Sequence, residues 1–160
     1  MIKAEPLAVR IVAALVRRGE HLATAESLTG GLIGAAVTAV AGASRAYLGG
    51  VVAYDTGVKA RLAGVPQGVL DSDGPVAAET ALAMARGVRA LTGADWGIAA
   101  TGVAGPDPQD GHQPGEVWLA VAGPDEQEAA QRHQFAGDRA AVRAASVTAA
   151  LGLLAGALGE

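Results

Sequence analysis

The sequence predicts an α/β fold: a single three-layer α/β/α domain built around a mixed, largely parallel sheet. Helical and strand patterns alternate over the first two-thirds of the 160 residues, which is typical of a parallel sheet covered by helices. Two further strand patterns then follow each other across a short turn, which predicts an antiparallel hairpin at one side of that sheet. No repeat or linker divides the chain, so we expect residues 1–160 to form one domain.

The elements of the first half begin and end at clear signals. Apolar residues at helical spacing between Pro6 and Gly19 predict an amphipathic helix that stops at the glycine. The next predicted elements are a strand at His21–Ala25, a buried helix at Leu32–Val40, a strand at Leu48–Tyr54 and a short helix at Val58–Leu62.

The second half starts with a long helical pattern at Val76–Leu91 and an almost wholly apolar strand at Asp95–Thr101. Such a strand is expected to be buried on both faces. Strands at Glu116–Ala122 and Glu128–Phe135 are predicted on either side of the turn Gly123-Pro124-Asp125. The last helix is predicted to run to about Leu158, with Asp138 as its N-cap.

Composition excludes several classes of function. The net charge is −4 and no run of Lys or Arg is present, so we expect no nucleic-acid partner. The chain has no Cys, which excludes disulfides, thiolate metal sites and a Cys nucleophile. Its three histidines, His21, His112 and His133, lack metal-ligand spacing, so no metal site is expected. With no secretory signal and no membrane-spanning stretch, we expect a cytoplasmic protein.

The first candidate site follows the first predicted strand, in Ala25–Gly31. A hydroxyl residue between a strand and a helix stands where open α/β sheets bind ligands, and helix N-terminal N–H groups favour an anion there. Gly30 and Gly31 let a ligand approach the backbone closely. The alternative is structural: Ser27 or Thr29 caps the helix and the glycines form a tight turn.

The second candidate is Lys59, which shares the chain with only one other lysine, Lys3 in the N-terminal tail. Arg keeps its proton in proteins, whereas a desolvated Lys can lose it. A Lys with a lowered pKa can act as the base for a Ser nucleophile. The alternative is a solvated Lys on a short helix, with Tyr54 as a half-buried strand residue whose hydroxyl reaches the surface.

The third candidate is the end of the apolar strand at Thr101 and Gly102, which opens into a loop rich in Gly, Pro and Asp that extends to Gly115. Loops longer than about 12 residues are uncommon unless they are functional or disordered, so this loop is expected to form a wall of a ligand site. His112 lies in the loop, where a lone His is more often solvated than catalytic.

The fourth candidate is Arg139 at the predicted start of the last helix, with Arg143 one helical turn later. An Arg in this position can bind a phosphate through two parallel hydrogen bonds. The alternative is that both arginines are ordinary solvent-facing charges.

Taken together, these segments resemble the CinA C-terminal domain family, whose members include nicotinamide mononucleotide amidohydrolases. The resemblance covers nearly the whole chain in order. The matching segments are Thr24–Gly31 (Thr-Ala-Glu-Ser-x-Thr-Gly-Gly in the family), Gly49–Lys59, Leu62–Pro66, Gly74–Ala77, Thr101–Pro106, Pro114–Val117 and Gly137–Arg139.

The resemblance implies an amidohydrolase of NAD salvage that converts nicotinamide mononucleotide to nicotinate mononucleotide and ammonia, with no metal and no cofactor. Carried over by position, Ser27 attacks the amide carbon, Lys59 is its base, and Tyr54 relays the proton or orients Lys59. The implied substrate contacts include main-chain N–H groups near Thr29, Gly30 and Gly31, which stabilise the oxyanion or hold the phosphate. Thr101 and Gly102 form the opposite wall, and Arg139 contacts the phosphate or the pyridinium side. The resemblance also implies a homodimer or a higher homo-oligomer that acts on a small molecule, without a membrane.

The sequence departs from the family pattern at three places. Leu28 replaces a usual Cys, Asp55–Val58 replaces a usual Ser-Asn-Glu-Ala, and Pro108 and Gln109 stand where the family often has Gly. These changes bear on substrate preference more than on reaction type. The family's large N-terminal domain, related to molybdopterin-binding proteins, is not expected in these 160 residues.

A second functional hypothesis is a catalytically silent domain that binds a nucleotide or a protein partner and is linked to competence or the DNA-damage response. The two hypotheses differ in geometry, because only an enzyme needs Ser27, Lys59 and Tyr54 to converge on one pocket.

Overall fold

The computed structural model describes residues 5–160, in which five strands form one open sheet. The strands are β1 Leu22–Glu26, β2 Tyr47–Val52, β3 Trp96–Gly102, β4 Glu116–Ala122 and β5 Glu128–Gln134. The helices are α1 Pro6–Arg18, α2 Leu32–Thr38, α3 Thr56–Arg61, α4 Gln67–Asp73, α5 Ala78–Thr92 and α6 Arg139–Leu158, with 3-10 turns at Ala43–Arg45 and Pro124–Glu126.

The sheet has the strand order β2-β1-β3-β4-β5. β1 pairs in parallel with β2 and β3, whereas β4 is antiparallel to both β3 and β5. Four of the five strands therefore point the same way, which confirms the predicted α/β class and the mixed, largely parallel sheet. The hairpin predicted at Gly123-Pro124-Asp125 joins β4 to β5.

Helices cover both faces of the sheet. On one face α1, α2 and α6 pack around a core that includes Ile11, Trp96 and Leu151. On the other face α5, with α3 and α4, covers small side chains and Met84. Because this second core is built mostly from Ala and Val, α5 approaches the sheet closely: a Cβ at Gly97 of β3 would collide with the carbonyl group of Ala85 in α5.

Most helix boundaries follow local chemistry. Pro6 begins α1, and Gly19 ends it with a φ of 65°, a backbone conformation that glycine adopts readily. Asp138 caps α6 by accepting a hydrogen bond of 2.9 Å from the N–H of Ala141, which confirms the predicted N-cap. No sequence pattern predicted α4. Its seven residues bury only Leu70, so its hydrophobic period is too short to detect.

The helix α6 is long and apolar enough to cross a membrane by length and composition alone, and it is the only such helix within residues 5–160. It instead packs against α1, β3 and β4, and it buries Val142, Leu151 and Leu154 in the protein core. The helix α6 is therefore an apolar helix of the protein core.

Candidate active site

The carboxyl ends of the three parallel strands meet at one edge of the sheet. Ser27 follows β1 directly, and its N–H donates a hydrogen bond of 2.9 Å to the carbonyl of Ala100 in β3. The N–H of Ala53, which follows β2, donates to the carbonyl of Glu26 at 2.8 Å. These bonds extend the sheet by one residue and hold Ser27 between its neighbours, at the edge where open α/β sheets bind ligands.

Lys59 reaches this edge from α3. Its Nζ lies 2.9 Å from Ser27 Oγ, and it also donates to the main-chain carbonyls of Ala53 at 3.0 Å and Tyr54 at 3.3 Å. Both side chains are buried, with Lys59 2% and Ser27 6% exposed. The three acceptors match the three N–H groups of an ammonium, and none of them is a carboxylate. The structure thus brings together the Ser and the Lys that the sequence singled out separately.

The local structure of α3 explains where Lys59 points. The Asp55 carboxylate accepts hydrogen bonds from the N–H groups of Gly57 at 2.9 Å and Val58 at 3.3 Å, which caps the helix. Lys59 is the one buried residue of α3. Asp55 belongs to the segment that departs from the family pattern, and it nevertheless supplies a helix cap directly before the lysine.

Burial controls the charge of Lys59. It lowers the pKa of this amine to about 8, against the opposing effect of the Asp55 and Asp110 carboxylates. About a tenth of the molecules therefore carry a neutral amine at pH 7. A neutral amine has two N–H groups, which can stay on the Ala53 and Tyr54 carbonyls, and one lone pair, which then faces Ser27 Oγ. The arrangement can therefore take a proton from Ser27.

A cleft of about 220 Å³ opens beside this pair. Its walls come from the ends of the parallel strands, the loop after β3, the segment before α5 and the first residue of α6. The lining residues are Ser27, Leu28, Tyr54, Thr56, Lys59, Pro75, Val76, Thr101, Gly102, residues 103–109 and Arg139. Thr101 and Gly102 thus occupy the wall that the sequence predicted, and the Thr101 hydroxyl donates to the carbonyl of Pro75 at 2.6 Å.

Arg139 closes one side of the cleft. Its Nη1 donates to the carbonyl of Gly105 and its Nη2 to the hydroxyl of Tyr54, both at 2.8 Å. The Tyr54 side chain is 60% exposed. Tyr54 therefore contacts Lys59 only through its main-chain carbonyl, and its hydroxyl pairs with Arg139 instead. Of the two roles expected of Tyr54, the geometry favours orientation of Lys59, through the main-chain carbonyl, over a proton relay through the hydroxyl.

The turn after Ser27 bends away from the cleft, so that only Leu28 of the turn lines it. Thr29 is fully buried, and its hydroxyl has no hydrogen-bond partner within residues 5–160. Gly30, with φ of 57°, lies against Arg143, and Gly31 lies against Val52. None of these three residues lines the cleft, so a contact between them and the substrate stays a prediction.

Arg143 makes contacts that no sequence pattern predicted. Its Nε donates to the carbonyl of Leu28 at 3.0 Å and its Nη2 to the carbonyl of Thr29 at 3.3 Å. The spacing of four residues from Arg139 was the available signal, because it places both side chains on one face of α6. The carbonyl acceptors of Lys59 could not be predicted from the sequence, because every residue has a main-chain carbonyl whatever its side chain.

None of the three histidines lies in the cleft. His112 contacts the Glu116 carboxylate through Nδ1 at 2.8 Å, and Arg132 contacts the same carboxylate at 3.3 Å. Burial opposes ionisation of Glu116, but His112 and Arg132 prevail and hold its pKa below the usual range. Within residues 5–160 no cluster of three or more His, Asp or Glu residues could hold a metal ion. Lys3 lies outside the described residues.

Comparison with solved structures places this geometry among known folds. The crystal structure of competence/damage inducible protein CihA from Agrobacterium tumefaciens superposes with a TM-score of 0.93 and 33% sequence identity, covering 100% of both chains. A competence-damaged protein (CinA) superfamily protein from Klebsiella pneumoniae gives a TM-score of 0.91 and 37% identity, covering 96% of each chain.

Sequence comparisons agree with the structural ones. The family model described as CinA C-terminal domain matches residues 4–158. A CinA-like protein from Frankia casuarinae is 45% identical over 144 residues, which are 90% of this chain and 33% of that protein. A CinA-like protein from a Synechococcus species is 45% identical over 154 residues, which are 94% of this chain and 36% of that protein. The chain therefore spans about a third of the length of these curated relatives.

Proposed function

This chain belongs to the CinA C-terminal domain family, and on that premise we propose that it hydrolyses the carboxamide of nicotinamide mononucleotide to give nicotinate mononucleotide and ammonia. The observation that carries the proposal is the buried contact of 2.9 Å between Lys59 Nζ and Ser27 Oγ. Burying a lysine without a carboxylate partner costs free energy. A domain that only binds a ligand gains nothing from that cost, whereas a Ser–Lys hydrolase needs it to lower the pKa of its base.

The first half of the reaction is acyl transfer. The neutral amine of Lys59 removes the proton from Ser27 as Ser27 Oγ attacks the carboxamide carbon, and a C–O bond forms. The tetrahedral intermediate then collapses, the C–N bond breaks, and the Lys59 ammonium returns its proton to the leaving nitrogen. Ammonia departs and the acyl group remains on Ser27, which divides one difficult step into two easier ones.

The second half repeats the same proton transfers with water. Lys59 removes a proton from a water molecule that attacks the acyl carbon, and the ester bond to Ser27 breaks. Lys59 then returns the proton to Ser27 Oγ, and nicotinate mononucleotide leaves. Every proton in the cycle passes through Lys59, so the reaction needs no metal or cofactor.

Two groups near Ser27 and Lys59 suit the two remaining tasks, which are stabilisation of the oxyanion and binding of the substrate phosphate. Leu28 follows the nucleophile and lines the cleft, and its main-chain N–H has no acceptor within residues 5–160. We assign it the stabilisation of the developing oxyanion. Arg139 uses two hydrogen bonds to hold Gly105 and Tyr54. Since a guanidinium has five N–H groups, Arg139 keeps donors for the substrate phosphate at the mouth of the cleft.

We also propose that the protein works in the cytoplasm on a small molecule, as one domain over residues 1–160, without a nucleic-acid or membrane partner. The net charge of −4 supports the absence of nucleic acid. A homodimer is the simplest assembly. The uncharged edge strand β2, with exposed Leu48 and Val52, supports self-association because unpaired strand edges readily find partners.

The test is release of ammonia from nicotinamide mononucleotide by the purified chain, with Ser27→Ala measured in parallel and nicotinate mononucleotide identified by mass. We expect release by the wild type and a loss of at least about a thousandfold in the variant. Binding of the substrate without release by the wild type would contradict the proposal. That outcome would favour the alternative, a silent nucleotide- or partner-binding domain, in line with the competence and damage names of the relatives.

A further inference from the structure

We infer that Arg143 is a positioning residue for the nucleophile: from α6, outside the cleft, it fixes the turn that follows Ser27. The inference rests on the proposed function. Its two hydrogen bonds go to successive main-chain carbonyls, those of Leu28 and Thr29. Arg143 does not line the cleft, so any effect it has on the reaction passes through this turn.

The turn itself is a tight one. The N–H of Gly30 donates to the carbonyl of Ser27 at 3.0 Å, which closes a four-residue β-turn that begins at the nucleophile. Peptide groups are planar, and their C=O and N–H point in opposite directions. By holding the Leu28 and Thr29 carbonyls towards α6, Arg143 therefore turns the N–H groups of Thr29 and Gly30 away from α6. The Gly30 N–H then meets the Ser27 carbonyl.

The chemistry of the side chain suits this role. Nε–H and one Nη–H of a guanidinium lie parallel on one rigid edge, so the group can hold two neighbouring carbonyls at once. A lysine ammonium donates from a single nitrogen, so it cannot hold the two carbonyls in the same geometry. Gly30 leaves room for the guanidinium, because a Cβ there would lie 3.3 Å from Arg143 Nη2.

One face of α6 thus holds both sides of the cleft. Arg139 fixes the loop after β3 through Gly105, and Arg143, four residues later, fixes the turn after β1. The two arginines have different tasks. Arg139 lines the cleft and can touch substrate, so its loss should weaken binding. Loss of Arg143 leaves the cleft wall intact but removes two hydrogen bonds from the turn that follows Ser27, and so loosens the contact of 2.9 Å between Ser27 Oγ and Lys59 Nζ.

The test compares Arg143→Gln and Arg143→Lys with a matched control, Arg10→Gln, which removes an exposed arginine from α1. For both Arg143 variants we expect kcat for ammonia release to fall at least about tenfold, because small displacements of reacting groups are costly. KM should stay within about twofold and the pH midpoint of kcat/KM should not move. The control should match the wild type. Wild-type kcat in Arg143→Gln, or a raised KM with unchanged kcat, would overturn the inference.

A second arm does not depend on nicotinamide mononucleotide. A fluorophosphonate labels an activated serine: the Ser27 Oγ–P bond forms, the P–F bond breaks, fluoride leaves, and Lys59 takes the Ser27 proton. We expect Arg143→Lys, which keeps the charge and so protects the fold, to be labelled at least about tenfold more slowly than the wild type, at a melting temperature within a few degrees. Equal labelling rates would overturn the inference. If Ser27 is labelled but no ammonia is released, the proposed substrate is wrong and the ratio of labelling rates still decides the role of Arg143.

Discussion

Ser27 and Lys59 are 32 positions apart in the chain, and their Oγ and Nζ atoms lie 2.9 Å apart in the fold. The contact is buried, and the two other acceptors of Nζ are main-chain carbonyls. This environment makes the charged form of Lys59 less favourable than it is in water, so that part of the amine is neutral near pH 7 and can act as a base for Ser27. It also has a measurable effect on stability.

Replacement of Lys59 by Met should change how stability depends on pH. The pKa of Lys59 is about 8 in the folded chain, below its ordinary value of 10.5. Between these values the unfolded chain binds more protons than the folded one, so the free energy of unfolding rises with pH. We expect the difference between wild type and Lys59→Met to grow in favour of the wild type by up to about 3 kcal/mol across this range. Urea unfolding at pH 7.5 to 10 measures it, and a constant difference would contradict the assigned pKa.

Replacement of Tyr54 by Phe should have only a modest effect. The variant loses the hydrogen bond from Arg139 to the Tyr54 hydroxyl, worth about 0.5–1.5 kcal/mol, and keeps the carbonyl that holds Lys59. We expect kcat/KM to fall about two- to tenfold with its pH midpoint unchanged. Steady-state kinetics from pH 6.5 to 9.5 test this. A loss as large as that of Ser27→Ala would restore the hydroxyl as a proton relay.

Replacement of Thr29 by Val should not destabilise the chain. The Thr29 hydroxyl is buried without a hydrogen-bond partner within residues 5–160, and Val replaces it with a methyl of the same shape. We expect the free energy of unfolding to stay constant or to rise by up to about 2 kcal/mol, with KM unchanged because Thr29 does not line the cleft. Thr29→Ser is the control, which keeps the hydroxyl and loses the buried methyl. A raised KM in Thr29→Val would show that the hydroxyl reaches the substrate.

Two glycine-to-alanine changes in helices should act in opposite directions. A Cβ at Gly87 in α5 would collide with the main-chain carbonyl of Ala63, whereas a Cβ at Gly152 in α6 meets nothing within 4 Å. We expect Gly152→Ala to stabilise the chain by up to about 1 kcal/mol through helix propensity. Gly87→Ala should destabilise it despite the same propensity gain. Thermal unfolding of both variants tests how closely α5 approaches the Ala63 carbonyl. Equal changes in stability for the two variants would contradict this close approach.

The sequence was informative where one chemical rule decides the outcome. Ligand sites in open α/β sheets lie at strand ends, so the element pattern predicted a site at Ser27 and, separately, a site wall at Thr101. The rarity of lysine pointed to Lys59, although only the packing of α3 shows that it is buried. These inferences depend on backbone topology and residue type.

The remaining features depend on orientation, which the sequence does not encode locally. The sequence pattern allows the Tyr54 hydroxyl to face either Lys59 or solvent. In the structure it faces away from Lys59, because it accepts a hydrogen bond from Arg139 on α6. The turn after Ser27 could present its glycines to the cleft or turn them away, and Arg143 holds it in the second arrangement. Both outcomes depend on α6, whose Arg139 lies 85 positions after Tyr54 and whose Arg143 lies 115 positions after Leu28.

The central claim is that the neutral amine of Lys59 activates Ser27, and the pH dependence of kcat/KM for ammonia release from nicotinamide mononucleotide tests it most directly. With a pKa of about 8 for Lys59, we expect kcat/KM to rise about tenfold from pH 7 to pH 9 and then to level off. Lys59→Arg, which keeps the charge but cannot lose its proton, should be inactive at every pH. A flat profile in the wild type, or turnover by Lys59→Arg, would contradict the claim.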